Sequence, residues 1–512
     1  MNLSDTPLSE VEIRAALREA LAHHRAGQLQ DAVDIYRGVQ AQIPDNPEIL
    51  VSLGAALLGL ELAAEAIEPL ERALSVRPGH ASTCFTLAEA YRREARIEDA
   101  YEAAKIGLIK NPDYFEGRMA MADALLDMGR YDEAEDTFQQ LLADHPDNPV
   151  VRGKLGCLKY YVGEFEAAEA DISSALRDIP DDMELNWHLA CLYLLQRRWS
   201  EGWNAYSWRW PMAKRVAPEK LAALPIWNGA GLTGKSIVVW AEQGLGDELM
   251  FATCLPDLLE RAAPRKCILA CDQRIESLLK RSYSGLETLP ITKVGKDFSE
   301  ARVPDCDFQI SAGDLPRFFR RYTADFPSEI RPLVPDTAKV EKWRARLAAL
   351  GDGLKVGIAW RGGTNERFKR SKSSTLEDWR GIFSIPGVSF VNLQYGDCAR
   401  EISDIEKMFG VGIHDWDDLD PIADPEDQMA QISCLDLVIQ TSNASAHMAG
   451  AMNIPVWNMV PYVPDSRWSL EGDACLWYPS MRMFRQPTLH DWNSLFAQVE
   501  AELRILAKAQ KG

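Results

Sequence analysis

"IVVWAEQGLGDELMFATCLPDL", residues 237–258, begins as an unbroken apolar run and continues as an amphipathic one. Ile237, Val238, Val239 and Trp240 read as a buried strand, and the residues from Asp247 onward as a helix that Pro256 interrupts gently. Between the two lie Glu242, Gln243, Gly244, Gly246, Asp247 and Glu248, a glycine turn with three acids where a nucleotide-binding loop often carries a lysine. Strand, glycine turn and helix in that order open a doubly wound parallel sheet. The same alternation continues downstream. "KCILACD" and "DFQIS" read as further strands, and the proline-rich stretch 326–336 as an extended connection. A second series follows at "LKVGIAW", "VSFVNLQ", "DLVIQ" and "PVWNMV", with amphipathic helices between. The expectation is two α/β halves with a cleft between the carboxyl ends of their strands.

Upstream the pattern is different and periodic. Small residues recur every 34 positions at Ala20, Gly54, Ala88, Ala122, Gly156 and Ala190, and again at Ala32, Ala66, Ala100, Ala134, Ala168 and Gly202. Prolines fall at Pro44, Pro78, Pro112, Pro146 and Pro180 in the same period. Four residues after the second small position stand Tyr36, Leu70, Phe138, Ile172 and Tyr206, with Ala104 breaking the series. Paired antiparallel helices approach closely only where small side chains meet, and proline stops the second helix. The bulky series is expected to fill the wedge between successive repeats. This pattern resembles the tetratricopeptide repeat, which implies a superhelix with a groove for a peptide or protein; a scaffold without a specific ligand is the plainer alternative. The sixth unit, "RRWSEGWNAYSWRWP", places Trp199, Trp203, Trp208 and Trp210 close together, which suits a cap docked on the next domain.

Composition bounds the function. The chain has 512 residues, 46% hydrophobic and 26% charged, which fits a multidomain globular protein. "MNLSDTPLSEVEIR" has neither a basic start nor an apolar core, and no apolar run is long enough to span a bilayer, so a cytoplasmic protein is expected. Of the net charge of −20, residues 1–210 hold most, with 20 Lys+Arg against 36 Asp+Glu; the rest hold 36 against 40. Such an acidic half repels nucleic acid and anionic membranes, leaving a protein partner or a solvated helix face. Ten cysteines without a C-x-x-C pair or a His/Cys cluster read as buried thiols, and no metal site is expected.

Two further segments carry chemistry. "WRGGTNERFKRSK", residues 360–372, sets Arg361, Arg367, Lys369, Arg370 and Lys372 against Glu366, with Gly362 and Gly363 at a strand end. That suits a phosphate-bearing ligand, although a solvated loop explains the charges too. "TSNASAHMAGA" opens a helix straight after a strand. Ser442, Asn443 and Ser445 can donate to phosphate oxygens beside its free amides, and His447 is a ligand-directed or a structural residue.

Taken in order, "EQGLGDELMFATCLPDL", "GIAWRGG…RSKSSTLEDW", "VNLQYGD", "DLVIQTSNASAHMAGAMNIPVW" and "WYPSMRMFRQ" resemble bacterial tetratricopeptide-repeat glycosyltransferases, whose catalytic part is related to the heptosyltransferases. The resemblance implies an α-solenoid followed by a GT-B fold of two Rossmann-like domains. It places the repeat array at 1–212, an acceptor-side domain at 213–335, a nucleotide-sugar domain at 336–485 and a returning C-terminal helix at 486–512. It implies metal-independent, inverting transfer from a UDP- or CMP-linked sugar to a protein acceptor, flagellin in particular, with no cofactor. The alternatives are a lipopolysaccharide or other glycan acceptor, or a degenerate binding protein. Asp247 matches the family's catalytic base, although an aspartate there also suits a helix cap. Glu242 and Glu248 are weaker candidates, expected to face water. Arg361, Arg370, Lys372 and Ser373 match the leaving-group loop, and Ser442, Asn443, Ser445 and His447 the donor helix. Where the family has Asp-Thr this chain has Ser442-Asn443, a loss of acid that favours an acidic sugar such as a nonulosonic acid on CMP.

Overall fold

The computed structural model describes residues 9–210, 219–294, 297–298, 305–362 and 371–510. It forms two compact units, one of residues 1–159 with 166–180, the other of 160–165 with 181–512.

The first unit is a run of helical hairpins. Glu10–Arg25 pairs with Leu29–Gln42, Pro47–Gly59 with Ala63–Val76, Ala81–Arg93 with Ile97–Lys110, and Phe115–Asp127 with Tyr131–Asp144. Connections this short force antiparallel neighbours. Asn46 and Asn148 each accept hydrogen bonds from two free backbone amides at the start of the following helix. Pro44, Pro78, Pro112 and Pro146 lie just beyond the ends of the second helices, as expected. The small residues are sterically required: a Cβ on Gly54 would lie 2.6 Å from Leu70 Cγ, and one on Gly156 2.8 Å from Ile172 Cγ1. Leu70 and Ile172 thus fill space against the first helix of their own hairpin, while Tyr36 of the same series reaches Ser52 on the next hairpin.

The second unit starts with the hairpin Met183–Leu195 and Trp199–Ala205. Trp199 and Trp203 are buried in its core, and their indole N–H groups donate to Thr323 Oγ1 at 3.0 Å and to the Arg320 carbonyl at 2.9 Å. Trp210 packs on Trp240, with ring centroids 5.2 Å apart.

Two parallel sheets follow. The first contains β1 (Ser236–Trp240), β2 (Lys266–Asp272), β3 (Leu286–Ile291) and β6 (Phe308–Ser311) in the order β3-β2-β1-β6; β4 (Lys293–Val294) and β5 (Asp297–Phe298) make a separate antiparallel pair. The second contains β7 (Leu354–Ala359), β8 (Val388–Asn392), β9 (Ile413–His414), β10 (Leu437–Thr441), β11 (Val456–Val460) and β12 (Met481–Arg485), ordered β12-β11-β10-β7-β8-β9. Each chain path moves outward from its first strand, then jumps to that strand's other side. The switch point lies between β1 and β6 in one sheet and between β7 and β10 in the other.

One apolar core runs from the Trp199 hairpin past the helices Leu245–Ala252 and Ala444–Ala451 to the inner face of the second sheet. The outer face of that sheet is covered by Trp492–Ala509 through Leu495, Phe496, Val499 and Leu503. The resemblance implied a C-terminal helix returning to the first half; its apolar face is instead committed to the six-stranded sheet. Among the described residues, no helix is long and apolar enough to cross a membrane.

Candidate functional site

The quoted turn leaves β1 at its switch point. Its glycines serve a purpose other than the tight bend expected of them. Gly244 is the N-cap of helix Leu245–Ala252 with an ordinary φ of −66°. Gly246 is needed for close approach, since a Cβ there would lie 2.8 Å from His447 Cδ2 and 3.5 Å from Ala444 Cα. Helix Leu245–Ala252 therefore packs directly on helix Ala444–Ala451, bringing Asp247 to the donor-type helix. Asp247 is the third residue of its helix and makes no capping bond, so the capping alternative does not describe it.

The other acids of the turn do not face water. Glu242 is buried and held by Arg209, whose Nε lies 3.1 and 3.0 Å from its two oxygens and whose Nη2 lies 2.8 Å from Oε1. Ser311 Oγ also donates to Glu242, and Arg209 reaches Asp314 Oδ1 at 2.8 Å. Burial pushes the Glu242 carboxyl up, against the pull of Arg209. Gln243 Nε2 donates to Tyr206 Oη at 3.0 Å. Glu248 is buried as well, its Oε1 accepting the Asp272 N–H at 2.9 Å. Glu242 and Gln243 thus anchor the turn to the segment just after the last hairpin helix.

At the second switch point the chain leaves β7 through Arg361 and Gly362, and β10 through Ser442 and Asn443. A Cβ on Gly362 would lie 2.5 Å from the Ser442 carbonyl oxygen, so this crossing requires glycine. Gly363 and Arg370, with Arg367 and Lys369, lie outside the described residues. Arg361 turns toward Glu401 at 2.8 Å and the Asp397 carbonyl at 3.3 Å, away from the Lys372 group. Ser373 Oγ accepts the Gly362 N–H at 3.3 Å.

Asn443 caps helix Ala444–Ala451 by accepting the Ser445 N–H at 3.0 Å, and donates to the Arg361 carbonyl at 3.1 Å. Ser445 is turned inward and donates to Gln440 Oε1 at 2.5 Å. Ser442 Oγ accepts the Trp468 indole N–H at 2.6 Å and lies 3.4 Å from Asp465 Oδ2. His447 is buried and stacked on Trp468 at 5.1 Å between centroids. Its Nε2 faces Arg467 Nη1 at 3.3 Å, and an arginine can only donate, so Nδ1 carries the proton and donates to Tyr478 Oη at 2.9 Å. Burial, followed by Arg467, holds the His447 pKa well below its ordinary value.

Sequence reasoning missed the turn after β11. Asp465 Oδ1 and Oδ2 lie 2.6 and 2.7 Å from Lys372 Nζ, and Arg467 Nη1 lies 2.6 Å from Asp247 Oδ1, close but without hydrogen-bond alignment at that oxygen. Burial raises the Asp465 pKa, but Lys372 and Arg467 together outweigh it and the net shift is down. A carboxylate therefore stands beside Ser442 after all. That carboxylate is itself paired with Lys372. No period marks this turn in the sequence; the pairing of β11 beside β10 is what brings it to Ser442.

Two tetratricopeptide-repeat models match residues 17–81 and 96–156. Protein FlbA of Caulobacter vibrioides is 34% identical over 319 residues, covering 60% of this chain and 53% of FlbA, so the match spans about half of that relative's length. Among solved structures, a thermophilic tetratricopeptide-repeat protein of Thermus thermophilus is 25% identical, with a TM-score of 0.31 over 36% of this chain and 100% of its own. A tetratricopeptide-repeat protein of Parabacteroides merdae is 19% identical, with a TM-score of 0.33 over 40% of this chain and 80% of its own. The N-terminal part of the chain is a tetratricopeptide-repeat solenoid, and two parallel-stranded sheets follow it.

Proposed function

We propose that the chain is a GT-B glycosyltransferase that moves a sugar from a nucleotide-sugar donor to a protein acceptor recruited by its repeats. One observation carries this reading: Asp247, at the switch point of one sheet, meets Arg467, whose turn also carries Asp465 to Lys372 and Ser442 around the switch point of the other. Clefts at such points are where doubly wound folds take their ligands. The identity to FlbA supports a shared architecture beyond the array, because 319 aligned residues exceed the length of the repeats.

In the step proposed, the Asp247 carboxylate accepts the proton of an acceptor hydroxyl. The oxygen attacks the anomeric carbon, and the bond from that carbon to the phosphate oxygen breaks with its electron pair leaving on the phosphate. Lys372 and the amides at the start of helix Ala444–Ala451 stabilise the charge that develops there. Attack opposite the leaving group inverts the anomeric configuration. The family resemblance gives such side chains the role that a metal has elsewhere, and it makes flagellin the first acceptor to test. UDP- and CMP-linked donors are both to be tested.

The test is transfer from a panel of sugar nucleotides to flagellar and envelope proteins, read by intact-mass spectrometry. Asp247→Ala is expected to abolish the added mass, and deletion of residues 1–180 to abolish transfer to protein while leaving donor binding. Absence of any sugar-nucleotide binding or transfer refutes the proposal.

A further inference from the structure

The Lys372 and Asp247 side chains are each neutralised by a partner from one short turn, residues 465–467. That turn is held firmly. Trp468 stacks on His447 and donates to Ser442, while Arg485 donates to the carbonyls of Trp468 and Ser469, both at 2.9 Å. The neutral His447 ring accepts from Arg467 and fixes its guanidinium on the Asp247 side. Arg467 nevertheless keeps about a quarter of its side chain exposed and Asp247 17%, so the pair is partly accessible to solvent. With Arg467 against Asp247 Oδ1, the guanidinium crowds that side of the carboxylate, and its own charge is offset before any phosphate arrives. The two roles become available together.

We propose that Arg467 is a phosphate-binding residue of the donor site that Asp247 occupies in the absence of ligand, so that the donor's phosphate draws Arg467 off Asp247 and releases the base. Donor binding then precedes acceptor activation. Arginine suits this exchange because its planar fork can accept a phosphate in bidentate fashion where a lysine offers a point charge. The inference rests on the glycosyltransferase reading and assigns a residue that the family motifs quoted above do not include.

The experiment is calorimetric titration of the full-length chain with UDP, CMP and inorganic pyrophosphate. Arg467→Gln should weaken UDP and pyrophosphate binding at least tenfold. Asp247→Asn, nearly isosteric, should tighten both several-fold, because it removes the competing carboxylate; a purely structural ion pair would not produce this opposite effect. The Asp247→Asn result stands alone if Arg467→Gln fails to fold. Wild-type affinity in Arg467→Gln, or unchanged or weaker affinity in Asp247→Asn, overturns the inference while leaving the proposed function in place. Failure of the wild-type chain to bind any of the three probes or a sugar nucleotide overturns both.

Discussion

Gly246→Ala tests the central contact of the site. The new Cβ would lie 2.8 Å from His447 Cδ2 and 3.4 Å from Cγ, whereas non-bonded carbons settle at about 3.5–4.0 Å. His447 has nowhere to move: Trp468 stacks on one face, and Tyr478 and Arg467 engage its nitrogens. Overpacking of this kind costs about 1–3 kcal/mol, offset by up to about 1 kcal/mol from alanine's helix propensity. A net loss of about 1–2 kcal/mol is expected. Trimming the ring should reverse the sign, so that in a His447→Ala background the same substitution is neutral or stabilising, with a coupling of about 1–3 kcal/mol across the double-mutant cycle. Gly244→Ala is the comparison: among the described residues its one neighbour within range is Asp247 Oδ2 at 3.7 Å, so it should cost only the difference between glycine and alanine at an N-cap. Urea unfolding followed by tryptophan fluorescence isolates the right unit, because all 15 tryptophans lie at or after position 187. Additive effects of Gly246→Ala and His447→Ala, within about 0.5 kcal/mol, would refute the packing argument.

Arg209→Met should destabilise the same unit by about 3–5 kcal/mol, since it strands Glu242 as an uncompensated buried charge; the Arg209→Met, Glu242→Met double variant should recover part of that loss in the same unfolding assay. Burial and Arg467 hold His447 neutral in the fold, while the unfolded chain protonates it near 6.5. Its stabilising contribution is therefore present above pH 6.5 and lost as pH falls below it, by up to about 1.4 kcal/mol per pH unit. Stability curves between about pH 7 and 5 should be shallower for His447→Gln than for the wild type. Residues 181–512 should express as a folded unit, whereas a cut after 210 removes the indoles of Trp199 and Trp203 from its core and should yield aggregate, as judged by circular dichroism and gel filtration.

The repeats were legible because each 34-residue period repeats the same steric demand, and Gly54 and Gly156 show that demand directly. The interior strands were legible because burial on both faces makes them continuous apolar runs, as at β1, β7 and β10. The longer strands that escaped, β3 and β12, are edge strands. Pro290 sits in one and Arg482 and Arg485 in the other, which an edge tolerates and a sequence pattern hides.

The site divides along the same physical line. Positions attached to a strand–turn–helix signature, Asp247 and the 442–447 segment, could be found by reading along the chain. Asp465 and Arg467 could not, because a short polar turn has no period, and only the parallel pairing of β11 beside β10 carries it to Ser442. A charge at a switch point is a property of every loop that emerges there, and the loops of β1, β7, β10 and β11 all converge on this group. Lys372 then pairs with an acid whose position depends on Trp468 and Arg485. Arg485→Met should accordingly weaken Lys372's pairing without touching it, because the position of Asp465 depends on the bracing of the turn.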